Sequence, residues 1–326
     1  MSEKVTNQAI IEASLRMKGK IVKTPLLQSD YLNKKLKSNI YLKAENLQTI
    51  GAFKFRGAMN TILQLPDNVK KVVAWSSGNH AQAVAAAANL TGRKATIVMP
   101  EDSPKTKLNG TVEWGANIVK FNRNNESREE IGKAIAKEQN AIIIPPFDDI
   151  NVIIGQGTAG LEAADQLNEL KVKPDIVLCC CGGGGLIAGV STAIKAEFPN
   201  ADIYAVEPEN FDDTKKSLES KTIIENSMKY TSICDALLAN KPGDITFKIN
   251  KKNLTGGITV SDKEALIGMN TAFKHLKIVL EPGGAVALAA ALTNKINIIN
   301  KNVLVIASGG NVDNEVFQEC LKLDDF

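Results

Sequence analysis

Lys54 stands between two phenylalanines in the run GAFKFRGA, residues 51–58, which contains no acid. Apolar flanks strip hydration from an amine, disfavour its ammonium form and leave more of the neutral nucleophile. Four consecutive glycines, Gly182 to Gly185, precede Leu186 and a helical pattern. Such a run is entropically costly to order. What it presents is a row of backbone N–H groups that can approach an anion closely, with a helix N-terminus behind them. Two more small-residue turns, WSSGNH and IASGGN, each follow an apolar strand pattern. An amine, an anion cradle and two donor-rich turns are the parts of a cofactor site.

Two cofactor classes fit the cradle. Gly183, Gly185 and Ala188 satisfy G-x-G-x-x-A. Glu207 ends the next strand pattern about twenty residues on, where the ribose-binding acid of a dinucleotide site belongs. That reading leaves Lys54 and the other two turns without a role. Pyridoxal phosphate would use all of them, because it needs an amine for its aldehyde, donors around its phosphate and a partner for its ring nitrogen.

These residues need rigid elements to hold them. Strand and helix patterns alternate: strand SNIYLKAE, helix KFRGAMNTILQL, strand KKVVAWS, helix NHAQAVAAAANL, strand KATIVMP. A helix opened by Ser103-Pro104 follows, then strand ANIVKF, a helix begun by the Ser127–Glu130 capping box, and strand AIIIPPF. The second half continues with a helix over 152–170, strand DIVLCCC, a helix from Gly185, strand DIYAVE, a Ser261–Glu264 capping box and strand NVLVIAS. The strands are continuously apolar, as in parallel sheets covered by helices on both faces. This predicts an α/β fold with two sheets. Ligands in such sheets lie beyond the carboxyl ends of strands, where the glycine-rich turns fall.

Bulk properties narrow the function. The net charge is +3, with lysines scattered rather than striped, which gives no electrostatic footprint for nucleic acid. The longest apolar run is interrupted by the four glycines, so no membrane span is expected. The N-terminus MSEKVTNQAI lacks the layout of a secretory signal, and the expected setting is a reducing cytoplasm. Cys179, Cys180 and Cys181 alternate faces on a strand and read as small apolar fillers rather than a metal cage. The sequence ends soon after SGGNVD, so no appended regulatory domain is expected.

In order along the chain, KAENLQTIGAFKFRGA, SSGNHAQ, GQGT, GGGGL and SGGN resemble the fold-type-II pyridoxal-phosphate enzymes. The match is to the branch of serine/threonine dehydratases and serine racemase, over residues from about Pro25 to Asp313. The resemblance implies that Lys54 carries the cofactor covalently and that Phe53 packs on the ring. It implies that Gly182, Gly183, Gly184, Gly185 and Leu186 cradle the phosphate, that Ser308 faces the pyridine nitrogen and that Glu281 lies near the ring edge. Ser76, Ser77, Asn79 and His80 would hold the substrate carboxylate, largely through main-chain N–H groups, with Asn79 also reaching the ring oxygen. Glu207, Phe211 and Asp213 match a spacing that in this branch binds Mg²⁺ or Ca²⁺ through two carboxylates and a carbonyl. The segment SICDALLAN departs from the branch, because Ala236 follows Asp235 where glycine is usual.

The implied activity is a threonine/serine ammonia-lyase that converts a 3-hydroxy amino acid to a 2-oxo acid and ammonia. Lys54 is then the general base at Cα, and Ser77 is a second base if the enzyme racemises. Serine racemase and 3-hydroxyaspartate dehydratase are close alternatives. A nicotinamide-dinucleotide oxidoreductase and a non-catalytic carrier of the cofactor are distant ones. The resemblance also implies a homodimer whose large domain is residues 1–70 and 149–326. A small domain at 71–148 would carry the substrate loop. His275 reads as a packing residue, and Asp148 and Asp149 as caps of helix 152–170.

Overall fold

The computed structural model describes residues 4–227 and 229–323. Its helices and strands alternate as the apolar periodicity predicts. The chain opens with α1 (Asn7–Arg16), β1 (Leu26–Leu27), α2 (Asp30–Leu36), β2 (Asn39–Ala44) and α3 (Lys54–Leu63). Next come β3 (Lys71–Trp75), α4 (Asn79–Leu90), β4 (Lys94–Pro100), α5 (Lys105–Glu113), β5 (Asn117–Phe121), α6 (Arg128–Gln139) and β6 (Ile142–Ile143). The chain continues through α7 (Ile150–Glu169), β7 (Ile176–Cys180), α8 (Gly185–Glu197), β8 (Asp202–Pro208) and α9 (Asp213–Ser220). It finishes with α10 (Asp244–Asn253), β9 (Gly256–Val260), α11 (Asp262–Thr271), α12 (Pro282–Leu292), β10 (Asn302–Ala307) and α13 (Asn314–Leu321).

Two sheets form. The larger runs β1-β2-β10-β7-β8-β9 and the smaller β5-β4-β3-β6. All pairings are parallel except β1 with β2. The strands of the small sheet all lie within residues 71–143, and two separate apolar cores accompany the two sheets. In the large sheet β10 lies between β2 and β7, so the turn after β10 sits beside the turn after β7. That adjacency brings Ser308 to the glycine run.

The helices behind the site pack on glycine. A Cβ at Gly155 would lie 2.7 Å from the Arg56 carbonyl, and one at Gly189 would lie 2.4 Å from the Ile153 carbonyl. The GQGT motif is thus the middle of α7, where its small residues let α3 and α8 approach. Gln156 accepts a hydrogen bond from the Gly57 N–H at 3.1 Å. Beneath α3, Arg56 is fully buried and bidentate to Glu45, at 2.7 and 2.8 Å, and to Glu162, at 2.8 Å twice. Lys43 adds a 2.8 Å pair with Glu162, so two cations and two anions close a neutral buried network.

Two local expectations change. Ser103 donates to the Pro100 carbonyl instead of capping α5, which begins after Pro104. Asp149 caps α7 through the Val152 N–H as expected. Asp148 instead caps α10, accepting from the N–H groups of Asp244, Ile245 and Thr246, because the chain folds α10 onto the segment after β6. The reciprocal capping box is complete at Ser261 and Glu264. At the start of α6, Ser127 accepts from Glu130 at 3.3 Å. His275 stacks on Tyr31 with ring centroids 4.5 Å apart, which is the packing role expected of it.

Candidate active site

The segment bearing Lys54 docks on the turn after β10. Phe53 donates to the Ser308 carbonyl at 3.0 Å, Gly310 donates to the Gly51 carbonyl at 2.9 Å, and Ala52 bridges Gly309. Gly51 takes φ +74 to make this turn, and a side chain there would also strike Asn311. Lys54 is then the first residue of α3, with its amine directed into a cavity of about 350 Å³. Lys54 Nζ donates to the Pro146 carbonyl at 2.6 Å and lies 5.3 Å from the Phe53 ring centroid. Burial lowers its pKa to about 8. About a tenth is therefore the neutral amine at pH 7, far more than for an ordinary lysine, in the direction its aromatic flanks predict.

The same cavity is lined by Ser76, Ser77, Asn79 and His80, by the turn Gly182–Leu186, and by Ser308. Gly184, at φ +90, caps α8, and the first N–H groups of that helix have no intrahelical acceptor. A Cβ at Gly183 would fall 2.4 Å from the Phe147 ring, and one at Gly184 would fall 2.7 Å from the Asn250 amide. The Thr246 hydroxyl holds the Gly183 carbonyl at 2.7 Å and Asn250 holds that of Gly184, so α10 braces the turn from behind. A rigid row of N–H groups at a helix start is a phosphate cradle.

Around Ser308 the polar groups interlock. Asn79 donates to Glu281 Oε1 and accepts from Asn311 Nδ2 at 2.9 Å. Glu281 is buried, and burial first, then Asp235, raises its pKa against the opposing pull of Lys107. Lys107 Nζ lies 2.9 Å from Glu281 and 2.7 Å from Asp235. Burial works against the Lys107 charge, but the two carboxylates outweigh it and hold its pKa above the ordinary lysine value. His80 bonds the Ile144 carbonyl through Nε2 at 2.9 Å. Burial, reinforced by the Lys54 charge, pushes its pKa down to about 3. The ring is therefore neutral and donates from Nε2, and buried Nδ1 has no hydrogen-bond partner among the described residues.

Several participants carry no clear signal in the sequence. Pro146 and Phe147 follow a two-residue strand and have no chemical signature. Asn311 lies inside SGGN, where the spacing marks only a turn. Arg123 and Arg128 line the cavity beside Asp102, and both are about half exposed (48%). Cys180 and Cys181 also line it, and all three adjacent cysteines are buried free thiols, as expected of small fillers of a buried strand.

The Glu207–Phe211–Asp213 cluster lies apart from this cavity. Glu207 and Asp213 are both fully buried, and Phe211 nearly so. Glu207 accepts the N–H groups of Thr214 and Lys215 at 2.9 and 2.8 Å, which commits it to the start of α9 and removes it from a ribose-binding role. Asp213 Oδ1 accepts from Asn226, whereas buried Oδ2 has no partner among the described residues. Burial raises the pKa of both acids, that of Asp213 to about 7, and Asp213 raises Glu207 further. Two buried carboxylates with an orphan oxygen fit a hard cation. Among the described residues no group of three or more His, Cys, Asp or Glu side chains is placed to hold a metal, so a third protein ligand there would have to be a carbonyl.

Comparison with known proteins agrees with this geometry. A family model described as "Pyridoxal-phosphate dependent enzyme" matches residues 17–309. The chain is 42% identical to L-threo-3-hydroxyaspartate ammonia-lyase of Saccharomyces cerevisiae, covering 93% of this chain and 92% of that protein. It is 38% identical to serine racemase of Schizosaccharomyces pombe, covering 97% of each. The crystal structure of a T.th. threonine deaminase superposes with a TM-score of 0.89 at 40% identity, over 94% of this chain and 99% of that one.

Proposed function

The chain belongs to the fold-type-II pyridoxal-phosphate-dependent enzymes, in the branch of threonine dehydratases, serine racemases and hydroxyaspartate ammonia-lyases, and on that premise we propose that it eliminates the β-hydroxyl of a small 3-hydroxy amino acid. The products are a 2-oxo acid and ammonia. One observation carries the reading: a desolvated lysine amine shares a single cavity with a braced glycine cradle and a donor-rich loop.

Bound there, pyridoxal phosphate supplies an aldehyde for the lysine and an electron-withdrawing ring. Gly182, Gly183, Gly184, Gly185 and Leu186 would hold its phosphate, and the Ser308 hydroxyl would face its ring nitrogen. Phe53 would cover a ring face, with Asn79 and Glu281 near the ring edge. Ser76, Ser77, Asn79 and His80 orient the substrate carboxylate, which fixes the Cα proton relative to Lys54. Lys54, neutral near its lowered pKa, takes that proton. The N–H groups at both anions are preorganised donors.

Threonine and serine are the proposed substrates. A second reading, 3-hydroxyaspartate, is favoured by Arg123 and Arg128 at the cavity, because a guanidinium there can pair with a β-carboxylate. Residues 71–148 are proposed as a small domain that closes on substrate, and the active form as a homodimer. Glu207, Asp213 and the Phe211 carbonyl are proposed to hold Mg²⁺ or Ca²⁺. The test is a panel of L- and D-forms of threonine, serine and 3-hydroxyaspartate, scored for oxo acid, ammonia and the opposite enantiomer. Release of ammonia from none of them, with the cofactor bound, overturns the reading. Preference for the dicarboxylate, lost in Arg128→Ala, selects the second.

A further inference from the structure

We propose that Lys107, which does not line the cavity, is a positioning residue that clamps the substrate loop against the opposite side of the cleft. The proposal rests on the elimination reading above and deepens it. Lys107 lies on α5, between two strands of the small sheet, yet its ammonium sits among groups carried by the other part of the chain. It donates to Asp235 Oδ1 and Oδ2 at 2.8 and 2.7 Å and lies 2.9 Å from Glu281 Oε2. Only 2% of the side chain is exposed.

The loop packs directly on this lysine. A Cβ built on Gly78 would lie 3.5 Å from Lys107 Cδ and 3.8 Å from Nζ, so the middle of the loop rests on the buried chain. The next residue, Asn79, bonds the same Glu281 carboxylate. A second contact ties α5 across the cleft in the same register, from the Thr106 N–H to Asp313 Oδ1 at 3.1 Å.

Charge explains why a lysine is needed. Asp235 and Glu281 face the same point from two different segments, and without a cation between them two carboxylates would repel in a poorly hydrated site. One ammonium, hydrogen-bonded to Asp235 and 2.9 Å from Glu281 Oε2, offsets both charges and packs on the loop. The clamp thus adds to the Asn79 bonds in holding the N–H groups that receive the substrate carboxylate. Loss of the clamp therefore weakens substrate capture more than it slows the proton transfer at Lys54. Asp235 also lines the cavity and could touch substrate directly, so coupling between the two residues is the discriminating quantity.

The experiment uses holoenzyme of wild type, Lys107→Met, Asp235→Asn and the double variant, with visible cofactor absorption recorded for each. We expect Lys107→Met to raise KM tenfold or more with a smaller fall in kcat, and Asp235→Asn to raise KM less. The double variant should match Lys107→Met rather than multiply the two effects. Unchanged KM in Lys107→Met, or a double variant in which the effects multiply, overturns the clamp. Should Lys107→Met not fold, Lys107→Gln takes its place in the same cycle with Asp235→Asn: effects that do not multiply support the clamp, and effects that multiply overturn it. A wild-type enzyme that binds cofactor but eliminates nothing defeats the function reading instead. The clamp is then judged by the concentration of L-alanine needed to perturb the cofactor spectrum, which should rise in the same variants.

Discussion

Phe53 donates its backbone N–H to the carbonyl of Ser308 at 3.0 Å. That bond ties the residue before the reactive amine to the residue proposed to meet the cofactor's ring nitrogen. Both ends of one planar ring are thereby referenced to a single backbone contact. The amine needs no further search to find the aldehyde, but it must be unprotonated when it does.

The lowered Lys54 pKa makes cofactor capture pH-dependent. Apo-protein mixed with pyridoxal phosphate should gain visible absorption at a rate that falls about tenfold per pH unit below 8 and levels off above it. Stopped-flow absorbance measures this, and a midpoint near 10.5 would mean a hydrated amine. The folded apo-protein binds this proton less tightly than the unfolded chain does. Its stability should therefore rise with pH between about 8 and 10.5 from this group. Borohydride should fix the cofactor covalently to the wild-type chain and not to Lys54→Ala, read by the mass of the denatured protein.

Arg56 spends its guanidinium on Glu45 and Glu162, with Thr158 and Thr24 alongside. Arg56→Met leaves three charges with one cation in the interior and should cost about 3–5 kcal/mol. Arg56→Lys keeps the charge but loses both forks and should recover less than half of that. Denaturant unfolding of the holoenzyme reads both, and a loss under about 1 kcal/mol would show the network to be dispensable.

Mg²⁺ or Ca²⁺ should raise the thermal midpoint relative to chelator, because a cation relieves the buried Glu207–Asp213 pair. Asp213→Asn should abolish that response and leave the cofactor absorption in place. Equal midpoints with metal and with chelator in the wild type would remove the cation from the account.

Ser77 tests the second activity. Ser77→Ala should keep ammonia release from L-serine within about tenfold while losing D-serine formation. Chiral chromatography beside an ammonia assay measures the two together. Parallel loss of both would show that the hydroxyl serves only the carboxylate.

What is legible from residues is the local chemistry and the alternation of elements. Lys54 between two aromatics announces a desolvated amine, four glycines before an apolar helix announce an anion cradle, and continuous apolar strands announce a covered parallel sheet. Each of these is a property of a segment a few residues long. The GQGT motif shows the limit: the letters mark it as one of five ordered motifs, and only the approach of α3 and α8 to α7 reveals its glycines as packing surfaces.

The sequence by itself determined which groups could react, because side-chain type and immediate neighbours set nucleophilicity, donor density and secondary structure. The tertiary structure alone decided who meets whom. Strand order set Ser308 beside the glycines. The fold of α10 onto the segment after β6 made Asp148 its cap. Burial turned Lys107, one lysine among many, into the partner of Asp235 and Glu281. Those choices depend on contacts between residues far apart in the chain, and desolvation and Coulomb energy exist only once those contacts are made.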